Sequence, residues 1–344
     1  MSATMGCLQC GRTPGRKYSD DFCSAECEAA HREKILGRLS ELSSAEEESS
    51  SDSWRTGLLS LAQTTTDLRY STADMSAAVP PSAVEPKSTG RLITLLPAQG
   101  GSGASTTALH VAEAIARNPA EKVLLIDYDF HSGTTAFRLG LQPQGALDDL
   151  LKRGFVDDSS LKRAVTAWGN LDFLAPAAER GAAPLQFSRL DDVIRVAMEG
   201  YSTVVVDHPD ALYSASRSVL SRSSFVGIIC TPDISALYLV RRKRRAIAAL
   251  LGREPNRLGL IVNRSTSWGS LDRADVERVA EAPILAALPN DYGAVRRASW
   301  QGGLIEQDSA LAVEMLRLAE RIDFEASRSV QVPEAAVGEI VRNG

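Results

Sequence analysis

Leu92-Ile93-Thr94-Leu95-Leu96, then Pro97-Ala98-Gln99-Gly100-Gly101-Ser102-Gly103-Ala104-Ser105-Thr106-Thr107, then an alanine-rich segment to Ala116: from this stretch the fold can be read. An apolar run that turns through glycines into a helix start aims several backbone N–H groups at one spot. The positive end of the helix dipole adds to them, and the result is a phosphate cradle. One side chain of an ordinary phosphate-transfer loop is missing. Where such a loop carries lysine, just before its serine or threonine, this chain has Ala104.

Outward from that stretch, short apolar runs alternate with helical patterns. The runs are Leu92–Leu96, Val123–Ile126, Leu171–Leu174, Thr203–Val206, Val226–Ile229, Leu258–Val262 and Ile284–Leu288. The helical stretches between them include Ala104–Arg117, Leu185–Met198, Ala236–Leu251 and Asp272–Ala280. The alternation predicts an α/β fold: a doubly wound, mostly parallel sheet with helices on both faces. Ligands of such sheets bind beyond the carboxyl ends of the strands, where the glycine loop falls. A last apolar stripe, Ala310–Ile322, is expected to pack on the sheet, and Asp323 to Gly344 is expected to be a tail without a membrane-anchoring face.

Two of the runs end in acids. The second ends Ile126-Asp127-Tyr128-Asp129, and carboxylates two apart at a strand end can face a magnesium ion and an attacking water. The fourth ends Val206-Asp207-His208-Pro209, and an Asp after a hydrophobic strand beside a phosphate loop can hold Mg²⁺ through water. Either alone is unspecific, since strand ends often carry Asp to cap a turn. Their order and spacing behind the glycine loop are far more specific.

Ahead of this region the chain is different. Four of the five cysteines stand in the first 27 residues as Cys7-x2-Cys10 and Cys23-x3-Cys27. Two close pairs can close a tetrahedral thiolate cage for zinc, and so small a unit needs the metal to fold. Disulfide pairing is the alternative, and a cytoplasmic setting disfavours it. His31 is expected on the helix that follows rather than in the cage. Cys230, inside an apolar run, reads as a buried small hydrophobe. Residues 1–35 are thus expected to be a four-cysteine, zinc-binding, ribbon-like module and 36–90 a charged helix and flexible linker, rich in Ser and Glu at 43–52 and in Pro at 80–86. The α/β domain is expected over 91–323 and the tail over 324–344.

The bulk numbers fit that division. The 344 residues are 44% hydrophobic and 24% charged with a net charge of -5, the profile of a globular chain and not of a wholesale nucleic-acid or membrane-surface binder. No uncharged apolar run nears the roughly 20 residues that span a bilayer, and Met1–Cys10 lacks a secretory pattern, so the expected location is cytoplasmic.

Taken together, the motifs resemble the ParA/MinD group of deviant-Walker NTPases, whose loop reads Lys-Gly-Gly-x-Gly-Lys-[Ser/Thr]-Thr. Gln99 to Thr106 fits that frame at its glycines and hydroxyls, Asp127 and Asp129 match the switch aspartates, Asp207 the Walker B end, and Asn263 the residue that reads adenine in relatives. The resemblance spans roughly 91–322. Within the group the chain is most similar to the CpaE/TadZ proteins of Tad (Flp) pilus assembly, which often show Gly-Gly-x-Gly-Ala-Ser-Thr and Asp-x-Asp-x-x-x-Gly-Thr, as at Asp127 to Thr134. A receiver-like domain usually precedes their core; here the cysteine module and linker stand in its place.

That resemblance implies ATP or ADP with Mg²⁺ held by Gly100, Gly101, Ser102, Gly103, Ala104, Ser105, Thr106, Asp127, Asp207 and Asn263. Ser105 and Asp207 would be on the metal, and Asp129 would act in any hydrolysis. It also implies a homodimer that recruits pilus secretion machinery or polar marker proteins, at a pole or the inner face of the membrane. Both lysines of the loop are gone, at Gln99 and Ala104, and losing one well-placed electrostatic contact typically costs on the order of 10²–10³ in rate. Weak or absent hydrolysis is therefore expected. The basic run Arg241–Arg245 offers a nonspecific DNA contact, against a plain solvated helix face as the blander reading. The alternative functions are an active ParA/MinD-type ATPase positioning DNA, division or other cargo, and, weaker, a regulator whose zinc module binds nucleic acid.

Overall fold

The computed structural model describes residues 9–10, 22–34, 37 and 90–330, except 131–132, 142, 144–145, 153–154, 178–185, 214, 256 and 266–271. Cys7, nearly all of the linker, and the tail beyond 330 lie outside the described residues. The chain divides into two compact units, Met1–Glu85 with Trp268–Val279, and Pro86–Ser267 with Ala280–Gly344.

In the smaller unit a helix, α1, covers residues 25–34. Arg32 on it pairs with Asp272, at 2.7 Å, and with the buried Asp275, at 2.5 Å. These ion pairs tie the segment 272–279 to α1.

The larger unit is built on one eight-stranded sheet. Its strands are β1 (Arg91–Pro97), β2 (Val123–Asp127), β3 (Thr166–Trp168), β4 (Leu171–Leu174), β5 (Thr203–Asp207), β6 (Phe225–Cys230), β7 (Leu258–Val262) and β8 (Ile284–Ala287), in the order β3-β4-β2-β5-β1-β6-β7-β8. Every pairing is parallel except that of β3 with β4. The helices that follow α1 along the chain are α2 (Ala104–Ala116), α3 (Thr135–Arg138), α4 (Leu147–Lys152), α5 (Asp158–Ala164), α6 (Leu190–Gly200), α7 (Ser216–Arg222), α8 (Ile234–Leu251), α9 (Arg273–Ala280), α10 (Tyr292–Gln301) and α11 (Ala310–Val330), of which α9, but for its last residue, belongs to the smaller unit.

The strands are apolar throughout because both faces are covered. Successive side chains point to opposite faces. Ile93, Leu95 and Val205 therefore enter a core with Val111 of α2 and Leu318, Ile322 and Ala326 of α11. Leu92, Val204 and Val206 enter a second core with Val193 and Ile194 of α6 and Val219 of α7. This confirms the doubly wound α/β expectation.

Three details differ from the sequence reading. The three-residue β3 was not foreseen, being an edge strand too short to show a period. Helix α6 begins at Leu190, after a 3-10 turn at Phe187–Arg189. The last helix does not stop at Ile322: it continues to Val330, because Ala326 carries the buried stripe one turn further. The expected tail from Asp323 thus begins as helix.

Candidate functional site

Strand β1 lies between β5 and β6, so the loop that follows it emerges at the middle of the sheet's carboxyl edge. Two backbone bonds fasten the strand ends there: the Ala98 N–H donates to the Ile229 carbonyl (2.7 Å) and the His208 N–H to the Leu95 carbonyl (2.8 Å). The loop then turns through two left-handed residues, Gly101 at φ 78° and Gly103 at φ 96°. Helix α2 follows directly, and no side chain caps its first turn. Its first N–H groups are left to whatever anion sits in the loop. The Ser102 hydroxyl, in a residue only 1% exposed, has no hydrogen-bond partner among the described residues. An orphaned buried hydroxyl beside an uncapped helix start fits a phosphate cradle.

The acids come to this loop through strand register. Strands β2 and β5 run parallel with Asp127 opposite Asp207, and both residues are buried. Neighbouring strands lie about 4.8 Å apart, so the two carboxylates are held side by side. Burial pushes Asp127 up to about 6, with the charge of Asp129 adding to the rise and the Asp129 N–H, which donates to the Asp127 carboxylate at 3.0 Å, opposing it. Asp207 is raised well above the usual carboxylate range, first by burial and then by Asp127, while the Ser105 hydroxyl hydrogen-bonds it. Two like charges so placed disfavour each other unless a cation joins them. Ser105 and Asp207, with Asp127 beside them, therefore fit a hard divalent cation such as Mg²⁺. Gly133 closes the site from above. A Cβ there would lie 2.8 Å from both Asp127 carboxylate oxygens, which is why the fourth residue after Asp129 has no side chain.

The replaced lysines are accounted for locally. Ala104 is buried in the α2 core cluster. Gln99 is half-buried and donates from Nε2 to the Thr231 hydroxyl at 3.4 Å, folded onto its own chain. Asn263 does not stand idle: its Nδ2 donates to the Ser102 carbonyl at 2.8 Å and its Oδ1 accepts from the Arg264 N–H at 2.9 Å. In this structure the Asn263 amide fastens the glycine loop. His208 is no base. It is buried, donates from Nδ1 to the Pro209 carbonyl and accepts at Nε2 from Ser216, and burial pushes it down to about 4. Cys230 is buried and its thiol is pushed up to about 12, also by burial, as an inert core thiol would be. His131 lies outside the described residues.

The basic run reads differently in three dimensions. On α8, Arg241, Arg244 and Arg245 all pair with Glu281, at 3.0, 2.8 and 3.2 Å, and Arg244 also with Glu254 at 3.3 Å. Lys243 turns inward, where its ammonium donates to the Pro97 and Asp210 carbonyls at 2.7 Å each and to the Asp210 carboxylate. Arg242 lies over the Tyr238 ring at 5.8 Å. Glu281, Glu254 and Asp210 thus pair part of the positive charge of the run.

In the smaller unit, the sulfurs of Cys10, Cys23 and Cys27 lie within 4.8 Å of one another, Cys10 and Cys23 at 3.6 Å and Cys23 and Cys27 at 3.4 Å. Zinc–sulfur bonds of about 2.3 Å at tetrahedral angles put ligand sulfurs roughly 3.8 Å apart, so these thiols fit the expected cage. Cys7 lies outside the described residues. His31 is not part of this group; it bonds Gln9 at 3.2 Å and packs on Phe22.

A glycine loop between the central strand and a bare helix start, flanked by in-register aspartates, defines a P-loop nucleotide-binding domain. The CobQ/CobB/MinD/ParA nucleotide binding domain family matches residues 93–300, and the chain belongs to that family. Over 209 residues it is 26% identical to the septum site-determining protein MinD of Synechocystis, covering 58% of this chain and 76% of that protein. An uncharacterized Mycobacterium tuberculosis protein is 29% identical over 202 residues, a match covering 58% of this chain and 54% of that protein. Among solved structures, a ParA family ATPase from Chlorobium tepidum superposes with a TM-score of 0.61 at 22% identity, covering 68% of this chain and 98% of that one. MinD from Pyrococcus horikoshii, complexed with Mg-ADP, gives 0.58 at 22% identity, covering 71% and 100%. At such identities the structural likeness speaks to the fold. No helix among the described residues is long and apolar enough to cross a membrane.

Proposed function

We propose that this chain is a dimeric, nucleotide-sensing scaffold of the CpaE/TadZ kind, which binds Mg-ATP or Mg-ADP, turns it over slowly or not at all, and localises Tad (Flp) pilus assembly. The observation that carries this reading is Ala104. The cradle N–H groups, Ser105, Asp127, Asp129 and Asp207 are all kept, while the position that would place a cation on the β/γ-phosphates is a core methyl. Backbone donors hold phosphate without side chains, so binding survives what hydrolysis does not. Ser105 and Asp207 would hold the magnesium, which when bound neutralises the carboxylates and the phosphates together. Asp129 would orient water only in so far as hydrolysis occurs.

Phosphate release by the purified chain is expected to be barely above background. Restoring both lysines, Gln99→Lys with Ala104→Lys, is expected to raise it on the order of 10²-fold. Robust turnover in the unaltered chain, lost in Asp129→Ala, would overturn the scaffold reading. It would favour an active ParA/MinD-type ATPase positioning DNA or other cargo, a reading that the intact carboxylates keep in view. In cells, a fluorescent fusion is expected to form a polar focus that disperses when the pilus genes are deleted.

For the cysteine module, Cys7, Cys10, Cys23 and Cys27 together are the proposed zinc ligands. Metal analysis is expected to find about one zinc ion per chain, as a four-thiolate structural site requires. Cys23→Ser should lose it and unfold the module while the far-ultraviolet spectrum of the α/β domain persists.

A further inference from the structure

A cation from a different part of the chain stands beside the loop. Arg138 is the last residue of α3, the four-residue helix that starts at Thr135, whose backbone N–H bonds Asp127. The helix carries its guanidinium back over the first turn of α2. There Nη1 donates to the Thr106 hydroxyl at 3.2 Å and Nη2 to the Ser299 hydroxyl of α10 at 3.1 Å. Thr106 is the neighbour of Ser105, whose own hydroxyl bonds Asp207.

Its partners are hydroxyls, which hold a guanidinium without neutralising it. Among the described residues no carboxylate lies within ion-pairing distance of Arg138, and Asp207 reaches it only as a more distant charge. The side chain is half-buried, which costs a cation solvation and leaves it in need of an anion. Two other cations border the loop, and neither is available in the same way. Lys243 is committed to Asp210 beneath the loop, and Arg264 donates to the Gly101 carbonyl at 3.0 Å from an exposed position. A guanidinium has five N–H donors in a planar fork suited to phosphate oxygens, and the two hydroxyls leave most of them unspent.

We propose that Arg138 is the phosphate-binding cation of this nucleotide site, standing in for the lysine that Ala104 replaces. The proposal rests on the nucleotide-binding reading above and adds a ligand-binding residue to it.

The test uses the full chain with Mg²⁺ and a fluorescent N-methylanthraniloyl derivative of ADP. Arg138→Gln keeps an amide able to hydrogen-bond Thr106 or Ser299 and removes the charge; Arg138→Lys keeps the charge without the fork. The Gln variant is expected to bind about 10- to 100-fold more weakly, the Lys variant to fall between, and thermal melts to stay within a few degrees of the parent. The affinity of the Gln variant should also depend less steeply on salt, since one ionic contact is gone. Equal affinity of parent and Gln variant would overturn the assignment and leave the nucleotide site standing. So would a weakened Gln variant with unchanged salt dependence, which marks a structural role. A parent chain that does not bind the probe at millimolar concentration would instead overturn the nucleotide reading itself.

Discussion

Asp207→Asn is expected to raise the melting temperature of the nucleotide-free protein and, in the same variant, to weaken magnesium-dependent nucleotide binding. The two effects have one cause. Asp207 is buried at the end of β5, directly across the ladder from Asp127, and both carboxylates are raised above their ordinary range, Asp207 by burial and the charge of Asp127, Asp127 by burial and the charge of Asp129. With nothing bound, ionising the pair works against the fold. An amide of the same shape removes one charge and still accepts the Ser105 hydrogen bond. Relief at a functional site of this kind commonly contributes about 1–2 kcal/mol, or roughly 2–8 °C in a domain of this size. The metal, however, needs the anion. Loss of a carboxylate ligand should weaken Mg-nucleotide binding by on the order of 10²-fold, read by titration with and without Mg²⁺. A variant less stable than the parent in the absence of nucleotide would show that Asp207 is held by partners that already compensate its charge.

Gly103→Ala is the second large effect, and it runs in one direction. Gly103 precedes α2 with φ 96°, a conformation that costs an ordinary residue about 1–2 kcal/mol. A Cβ there would also stand 2.3 Å from Nδ2 of Asn263, the atom that donates to the Ser102 carbonyl. The clash falls on a buried hydrogen bond whose loss costs a further 1–3 kcal/mol or so. A drop of about 2–5 kcal/mol in stability is expected in denaturant melts, with nucleotide binding lost because the loop is unfastened. Gly101→Ala is the matched comparison. Its φ is 78°, and a Cβ there meets nothing within 4 Å, so only the conformational cost should appear. If the two variants melted together, the contact with Asn263 would be irrelevant to the loop.

The phosphate loop, the sheet and the aspartates were legible in the sequence because each is written in local pattern: glycines with hydroxyls, alternating apolar runs, acids at run ends. The resemblance of the motifs to ParA and MinD added the role of each. What stayed hidden depends on distance along the chain. The run Arg241–Arg245 looks like a free basic patch until Glu281, 36 to 40 residues on, is brought beneath it. The bonds of the Asn263 amide to Ser102 and Arg264 join residues far apart in the sequence to the glycine loop. Arg138 leaves a signal in the sequence as well. It is the only Lys or Arg between Lys122 and Lys152, and it stands nine residues past the second switch aspartate in a loop poor in cations. Three-residue β3 and the extra turn of α11 escaped for the opposite reason, since neither is long enough to impose a period.

The meeting of Asp127 and Asp207 has a consequence for how this site can change over evolution. Each acid ends a five-residue strand, and the strands are paired one to one from Val123 with Thr203 through Asp127 with Asp207. Their adjacency is therefore a matter of counting, not of which apolar residues fill the strands. Valine, isoleucine or leucine can be exchanged along both strands while the acids still coincide. A single residue gained or lost in either strand would send one carboxylate to the opposite face of the sheet. Lineages carrying this domain should accumulate substitutions freely within these strands and almost no insertions or deletions, with length variation confined to the connections.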